Sequence, residues 1–206
     1  MNIFFDLDGT LIDSRWRLYT LFTELIKPSK ITFDEYWKLK RSMFSNEWIL
    51  DRIYSLNSNE IDDFNHAWLK KIEEPYLLNL DTCFDFTIKT ITNLYQQNIY
   101  LFVVTSRQKE QAAILQLETL GLSPFFKDTL VTKQKSEKND LIRSMGIKLD
   151  NSDYIIGDTG KYVQAGKQLG IKTVAVLSGF RNYESLIPYK PDLILSSISE
   201  LPNIIT

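Results

Sequence analysis

One cysteine, one histidine, no surplus of basic residues and no long apolar run set the first limits on this chain of 206 residues. With Cys83 alone, an internal disulfide is excluded. Lys and Arg number 24 against 26 Asp and Glu, a formal charge of −2, so the chain has no basic excess with which to bind nucleic acid. No stretch approaches the roughly 20 apolar residues that a membrane span requires, and there is no internal repeat or low-complexity tract. The chemistry described below starts too near Met1 to leave room for a signal peptide, so a cytoplasmic protein is expected. His66 lies off the apolar face of its helical pattern, which predicts a solvated side chain rather than a catalytic base. At 44% hydrophobic residues the chain can bury a substantial core as one domain with an insertion.

Against these absences, the most informative residues are Asp6-Leu7-Asp8-Gly9-Thr10, which follow the apolar run Ile3-Phe4-Phe5. A strand that stops there presents two carboxylates at its carboxyl end, the end at which parallel α/β sheets bind ligands. One carboxylate can attack an electrophile while the other handles the leaving group's proton. An Asp-Gly turn alone would be unremarkable, so the reading depends on groups downstream. The buried-strand pattern Tyr100 to Val104 ends in Thr105-Ser106-Arg107, and Tyr154-Ile155-Ile156 ends in Gly157-Asp158-Thr159. Between them the basic stretch Lys133 to Lys138 leads into a helical pattern through Leu141, Ile142 and Met145.

In this order the chain resembles the haloacid dehalogenase-like hydrolase superfamily, closest to its phosphoglycolate-phosphatase-like branch. The likeness extends through Gly170 to Val176, Gly179, Pro191 to Leu195 and Glu200-Leu201. The resemblance implies an α/β fold, a Rossmann-like parallel sheet core with an inserted α-helical cap domain. Strands are expected near residues 2–6, 100–105, 153–157, 172–177 and 192–196, and helices near 84–97, 107–120, 138–145 and 161–169. Residues 1–14 and 80–206 would form the core and 15–79 the cap, with hinges near Ser14 and Leu80.

The inserted region holds all four tryptophans, Trp16, Trp37, Trp48 and Trp68, and otherwise reads as helices with a small aromatic core of their own. Thr32-Phe33-Asp34-Glu35 is a capping box. A later helix from about Glu60 to Glu74 carries Ile61, Phe64, Trp68 and Ile72 on one face and is stopped by Pro75.

The resemblance also implies a magnesium-dependent phosphatase acting on a small phosphorylated metabolite, with no nucleic-acid or membrane partner. Asp6 would be the nucleophile, forming an aspartyl-phosphate, and Asp8 the group that protonates the leaving oxygen and then activates water. Asp6, the Asp8 carbonyl and Asp158 would hold magnesium, a hard cation suited to few carboxylates, water and phosphate oxygens. Thr105 and the Ser106 backbone N–H would bind the transferring phosphoryl group beside Gly9. Lys138 is the preferred basic residue, since Lys-Asn-Asp-Leu-Ile looks like the family's helix start; Lys135 is second, and Lys133 belongs to the same run. Arg107 reads equally as a substrate contact or as a surface arginine at a helix start. The second aspartate also argues against a true dehalogenase, because halide leaves without a general acid.

One departure stands out. The family usually places an acid four residues after the Gly-Asp pair, whereas this chain has Tyr162 and no acid from 159 to 163. The missing carboxylate would weaken magnesium binding, and it keeps alive a catalytically weak or inactive protein that binds a phosphorylated ligand or partner. A phosphomutase is a third reading, since it shares the aspartyl-phosphate. Gly160-Lys161 is not a phosphate-binding loop: the first glycine of that pattern would fall at Ile155, and Tyr162 replaces its Ser/Thr.

Overall fold

In a computed structural model of the protein, which describes residues 1–205, the chain begins with strand β1 (Asn2–Phe5) and a short strand β2 (Ile12–Asp13). Five helices follow: α1 (Arg15–Leu25), α2 (Phe33–Arg41), α3 (Asn46–Arg52), α4 (Ser58–Lys71) and α5 (Pro75–Leu78). Then come β3 (Thr82–Cys83), α6 (Thr87–Gln96), β4 (Tyr100–Thr105), α7 (Glu110–Thr119), β5 (Phe126–Val131), α8 (Lys138–Ser144), β6 (Tyr154–Gly157), α9 (Gly160–Leu169), β7 (Lys172–Val176), α10 (Tyr183–Leu186) and β8 (Leu193–Leu195). The main sheet is parallel throughout, in the order β5-β4-β1-β6-β7-β8, with helices covering it.

β1 sits at the centre because every residue from Ile3 to Phe5 is apolar and fully buried. Successive side chains point to opposite faces: Ile3 and Phe5 join the cluster with Leu101, Val103 and Ile156, while Phe4 joins Phe102, Val104, Ile155 and Tyr162 on the other. Burying that run fixes the register, Phe5 opposite Val103 on one side and Ile156 on the other. The register in turn brings the ends of β1, β4 and β6 together, which is what places the site.

The strand pattern missed β5, an edge strand reading Phe-Lys-Asp-Thr-Leu-Val with its middle exposed. An edge strand buries too little on either face to show an apolar run. Also unforeseen was the two-stranded ribbon in which Ile12 opposes Cys83 and Asp13 opposes Thr82. It ties together the two chain crossings beside Ser14 and Leu80.

Helices α1–α5 lie between the two ribbon strands and enclose a separate cluster of Phe22, Tyr36, Ile49, Leu50, Tyr54 and Phe64. The aromatic core is therefore built by phenylalanine and tyrosine rather than by the tryptophans: Trp16 and Trp48 are exposed, Trp37 packs against Phe180 with ring centroids 5.2 Å apart, and Trp68 sits at the cluster's edge. The capping box at Thr32 and Glu35 forms as the sequence predicts. α4 starts two residues earlier than expected, at Ser58, because Asn57 and Glu60 make a second capping box.

The helical segment is closed onto the sheet. Glu73 accepts hydrogen bonds from the Gln108 and Lys109 N–H groups at 2.7 and 2.8 Å, just ahead of α7, and Arg41, Lys40 and Arg181 link α2 to the loop after β7. Among the described residues no helix is long and apolar enough to cross a membrane.

Candidate active site

A cavity of about 310 Å³ opens at the strand tips. Asp6, Asp8, Thr105, Ser106, Arg107, Lys138 and Asp158 all line it, so the residues singled out along the sequence meet in one place. Gly9 is not on the wall. Its φ of +83° makes the turn after Asp8, and a side chain there would collide with the Asp158 carboxylate. Of the three lysines, only Lys138 lines the cavity; it is buried and donates to Ser106 Oγ at 2.5 Å. Lys135 is exposed, and Lys133 pairs with Glu110 at the surface. His66 is exposed, as its position predicts.

Asp6 and Asp158 are buried side by side. Asp6 Oδ1 accepts from the Leu7 N–H at 2.6 Å, and Asp158 Oδ2 accepts from the Phe180 N–H at 2.5 Å. Burial, followed by the Asp158 charge, pushes the Asp6 carboxyl well above the ordinary carboxylate range. Burial likewise raises Asp158 to about 6. Asp158 Oδ1 is buried with no hydrogen-bond partner. Two adjacent carboxylates with an orphaned oxygen are what a small hard cation would satisfy, so the donor set fits magnesium even though no group of three or more acidic, His or Cys side chains gathers among the described residues.

Tyr162 is neither a loop residue nor only a packing residue. Its ring is buried against Phe4, Phe102 and Ile155, and its hydroxyl reaches Asp6 Oδ1 and the Val104 carbonyl, the latter at 2.8 Å. A hydroxyl carries one proton and cannot donate to both. It therefore donates to Asp6 or to Val104 at any one time, and donation to Asp6 favours the carboxylate against the burial that raises it. The Lys138 ammonium lies 4.4 Å from the centre of the Tyr162 ring. Tyr162→Phe keeps the ring and removes only the hydroxyl, so thermal melts should show a loss of about 0.5–1.5 kcal/mol. A loss above about 3 kcal/mol would mean that the hydroxyl supports the whole acid pair.

Asp8 is held by two guanidinium groups. Arg107 forks onto it, Nε and Nη2 each at 2.8 Å, and Arg17 from α1 pairs with it from the other side. Both arginines also reach Asp81, at 3.2 and 3.3 Å, and Gln116 donates to Asp81 at 2.8 Å. Burial opposes the charge on Asp8, but the two guanidinium groups prevail and hold it well below the ordinary range. Arg107 is thus buried rather than a surface arginine, and it lines the cavity with its Nη1 lacking a hydrogen-bond partner. Arg17, Asp81 and Glu73 escaped the sequence reading because each lies far along the chain from the groups it meets and carries no local motif.

Burial raises Asp81 to about 6 as well. A carboxyl whose folded pKa exceeds its unfolded value of about 3.9 binds its proton more tightly in the native state, so stability falls as pH rises through that window. With Asp81 and Asp158 both shifted this way, metal-free protein should melt at lower temperature at pH 7 than at pH 5. Melting temperatures that rise steadily from pH 5 to 7 without metal would contradict this.

Fold and site together define a Rossmann-like α/β protein with acids at the tips of its central strands and helices inserted after the first. The haloacid dehalogenase-like hydrolase family model matches residues 3–176, and the chain belongs to that family. It is 25% identical to the pyrophosphatase PpaX of Halalkalibacterium halodurans over 99% of this chain and 96% of that protein. It is 30% identical to the PpaX of Bacillus velezensis over 98% and 94%. Among solved structures, a haloacid dehalogenase-like hydrolase from Streptococcus pneumoniae superposes with a TM-score of 0.79 at 22% identity, covering 100% of this chain and 98% of that one. A phosphoglycolate phosphatase-like protein from Haemophilus somnus gives 0.76 at 19%, covering 100% and 97%. These two likenesses concern the fold.

Proposed function

We propose that the protein is a magnesium-dependent phosphatase that hydrolyses a small phosphorylated metabolite through an aspartyl-phosphate on Asp6. The observation that carries the reading is the meeting of Asp6, Thr105, Lys138 and Asp158 in one cavity at three strand tips. The relatives named pyrophosphatase, which also cleave a P–O bond, support it.

A phosphate ester is anionic, so a carboxylate can approach it only where charge is offset. The Lys138 ammonium, steadied by Ser106 and the Tyr162 ring, supplies one cation, and the Thr105 hydroxyl and Ser106 N–H receive phosphoryl oxygens. Asp6, the Asp8 carbonyl and Asp158 would hold magnesium, whose charge would offset both the substrate's and that of the acid pair. An Asp6 oxygen bonds to phosphorus as the ester P–O bond breaks, and the leaving oxygen takes a proton from Asp8. Water then gives a proton to Asp8 and attacks the same phosphorus, which frees Asp6 and releases phosphate.

In the closed arrangement Arg17 and Arg107 hold Asp8 as a carboxylate, suited to accepting the proton from water. Donating one first requires a weaker grip. Arg17 belongs to the inserted helices, so we read residues 15–79 as a cap whose movement at the ribbon of β2 and β3 relaxes that grip. The cytoplasm, where phosphorylated metabolites are made and used, is the compartment this reading assigns.

Purified protein with magnesium and a panel of phosphate esters tests the proposal. Free phosphate release from at least one ester is expected. Transfer of the phosphoryl group to a second hydroxyl would indicate a mutase, and binding without turnover an inactive member.

A further inference from the structure

Resting on the phosphatase reading, we infer that the part of the substrate that leaves is uncharged and apolar, an aromatic ring or short hydrocarbon chain, and that Trp68, Leu69 and Ile72 select it. The cavity has two unlike sides. On the sheet side stand the groups suited to a phosphoryl group: Asp6, Thr105, Ser106, Lys138 and Asp158. On the other, the inserted helices contribute Leu18 from α1, then Trp68, Leu69 and Ile72 where α4 ends, with Phe180 closing the side. Leu69 is 45% exposed, so part of its apolar surface is left open to solvent.

The charges that the inserted helices bring to this wall, Arg17 and Glu73, are engaged, and Arg107 from the segment after β4 joins them with only its Nη1 left without a partner. Arg17 and Arg107 face Asp8 and Asp81, two cations against two anions. Both oxygens of Glu73 accept backbone N–H groups, from Gln108 and Lys109. A second phosphate or a carboxylate placed against Trp68, Leu69 and Ile72 would lie on an apolar wall, since the other lysine of the lining, Lys161, stands on α9 at the exposed rim, and burying an unpaired charge is costly. An apolar group there gains by leaving water. At about 310 Å³ the cavity is at the small end of ligand sites, room for a phosphoryl group and little beyond one ring.

This sets the chain apart from what the name of its pyrophosphatase relatives says of them, and the difference is measurable. Benzyl phosphate and glycerol 1-phosphate are both primary alkyl esters, so their kcat/KM ratio reports the pocket more than leaving-group chemistry. With magnesium, benzyl phosphate should exceed both glycerol 1-phosphate and inorganic pyrophosphate by about 10-fold or more. Leu69→Asp, at an exposed position, should collapse that ratio. Calorimetric titration of the two non-hydrolysable analogues gives a readout that needs no turnover: benzylphosphonate should bind at least about 10-fold tighter than methylenediphosphonate. Turnover with pyrophosphate preferred, or methylenediphosphonate binding as tightly as benzylphosphonate, overturns the inference and leaves the phosphatase reading standing. Preferential benzylphosphonate binding with no ester hydrolysed overturns the phosphatase reading and leaves the apolar pocket.

Discussion

Asp6→Asn should lose essentially all phosphatase turnover while keeping its fold. The substitution is nearly isosteric, and the amide lacks the charge and nucleophilicity that the covalent route needs. Groups acting as one catalytic unit are strongly non-additive, so a loss of about 10⁴-fold or more in kcat is expected from this one change. Stability should not fall and is expected to rise without metal, because Asp6 is buried beside Asp158 and the pair repels. Melting curves and steady-state kinetics on the same preparations separate the two effects. A folded Asp6→Asn protein retaining more than about a hundredth of wild-type kcat would remove the covalent mechanism.

Arg107→Met should be the most destabilising of the conservative-volume changes at the site. The side chain is buried and supplies both teeth of the fork on Asp8 and a contact to Asp81, so its loss leaves two buried carboxylates to share Arg17. Breaking a buried ion pair from one side costs about 3–5 kcal/mol, and for a chain of this length that lowers Tm by roughly 6–20 °C. Arg107→Lys should recover little, because a single ammonium cannot span both oxygens as the planar fork does. The deficit against wild type should narrow as pH falls toward 4: without the guanidinium, Asp8 and Asp81 titrate higher, and protonation removes the uncompensated charge. Lys161→Ala at the exposed rim is the control, with no measurable change in Tm. A Tm loss in Arg107→Met no larger than that control would show that the cluster contributes nothing.

The parts of the fold legible in the sequence are those where burial on both faces forces an apolar run. β1, β4, β6 and β7 read that way, and their ends delivered Asp6, Thr105 and Asp158 to one place. Lys138 was legible only through the likeness of Lys-Asn-Asp-Leu-Ile to the family's helix start, which preferred it over Lys135. What stayed hidden is of a different physical kind. β5 is an edge strand with polar residues facing outward, and the ribbon of β2 and β3 is only two residues deep on each side. The arginine cluster on Asp8 joins residues 17, 81 and 107, whose types suit any solvated surface; only the tertiary fold shows that they are buried together. Tyr162 was legible as a departure but not as a contact. From sequence it marked a missing acid, whereas in the fold its hydroxyl meets Asp6, so the position still touches the acid pair without contributing a charge of its own.

The account stands on Asp6 carrying the phosphoryl group. Protein mixed with magnesium and a hydrolysed ester, quenched in acid within the first turnover and reduced with borohydride, should yield homoserine in place of aspartate at residue 6, read by peptide mass spectrometry. Release of phosphate in that same first turnover with Asp6 unmodified, or with the phosphoryl group on any other residue, would contradict it.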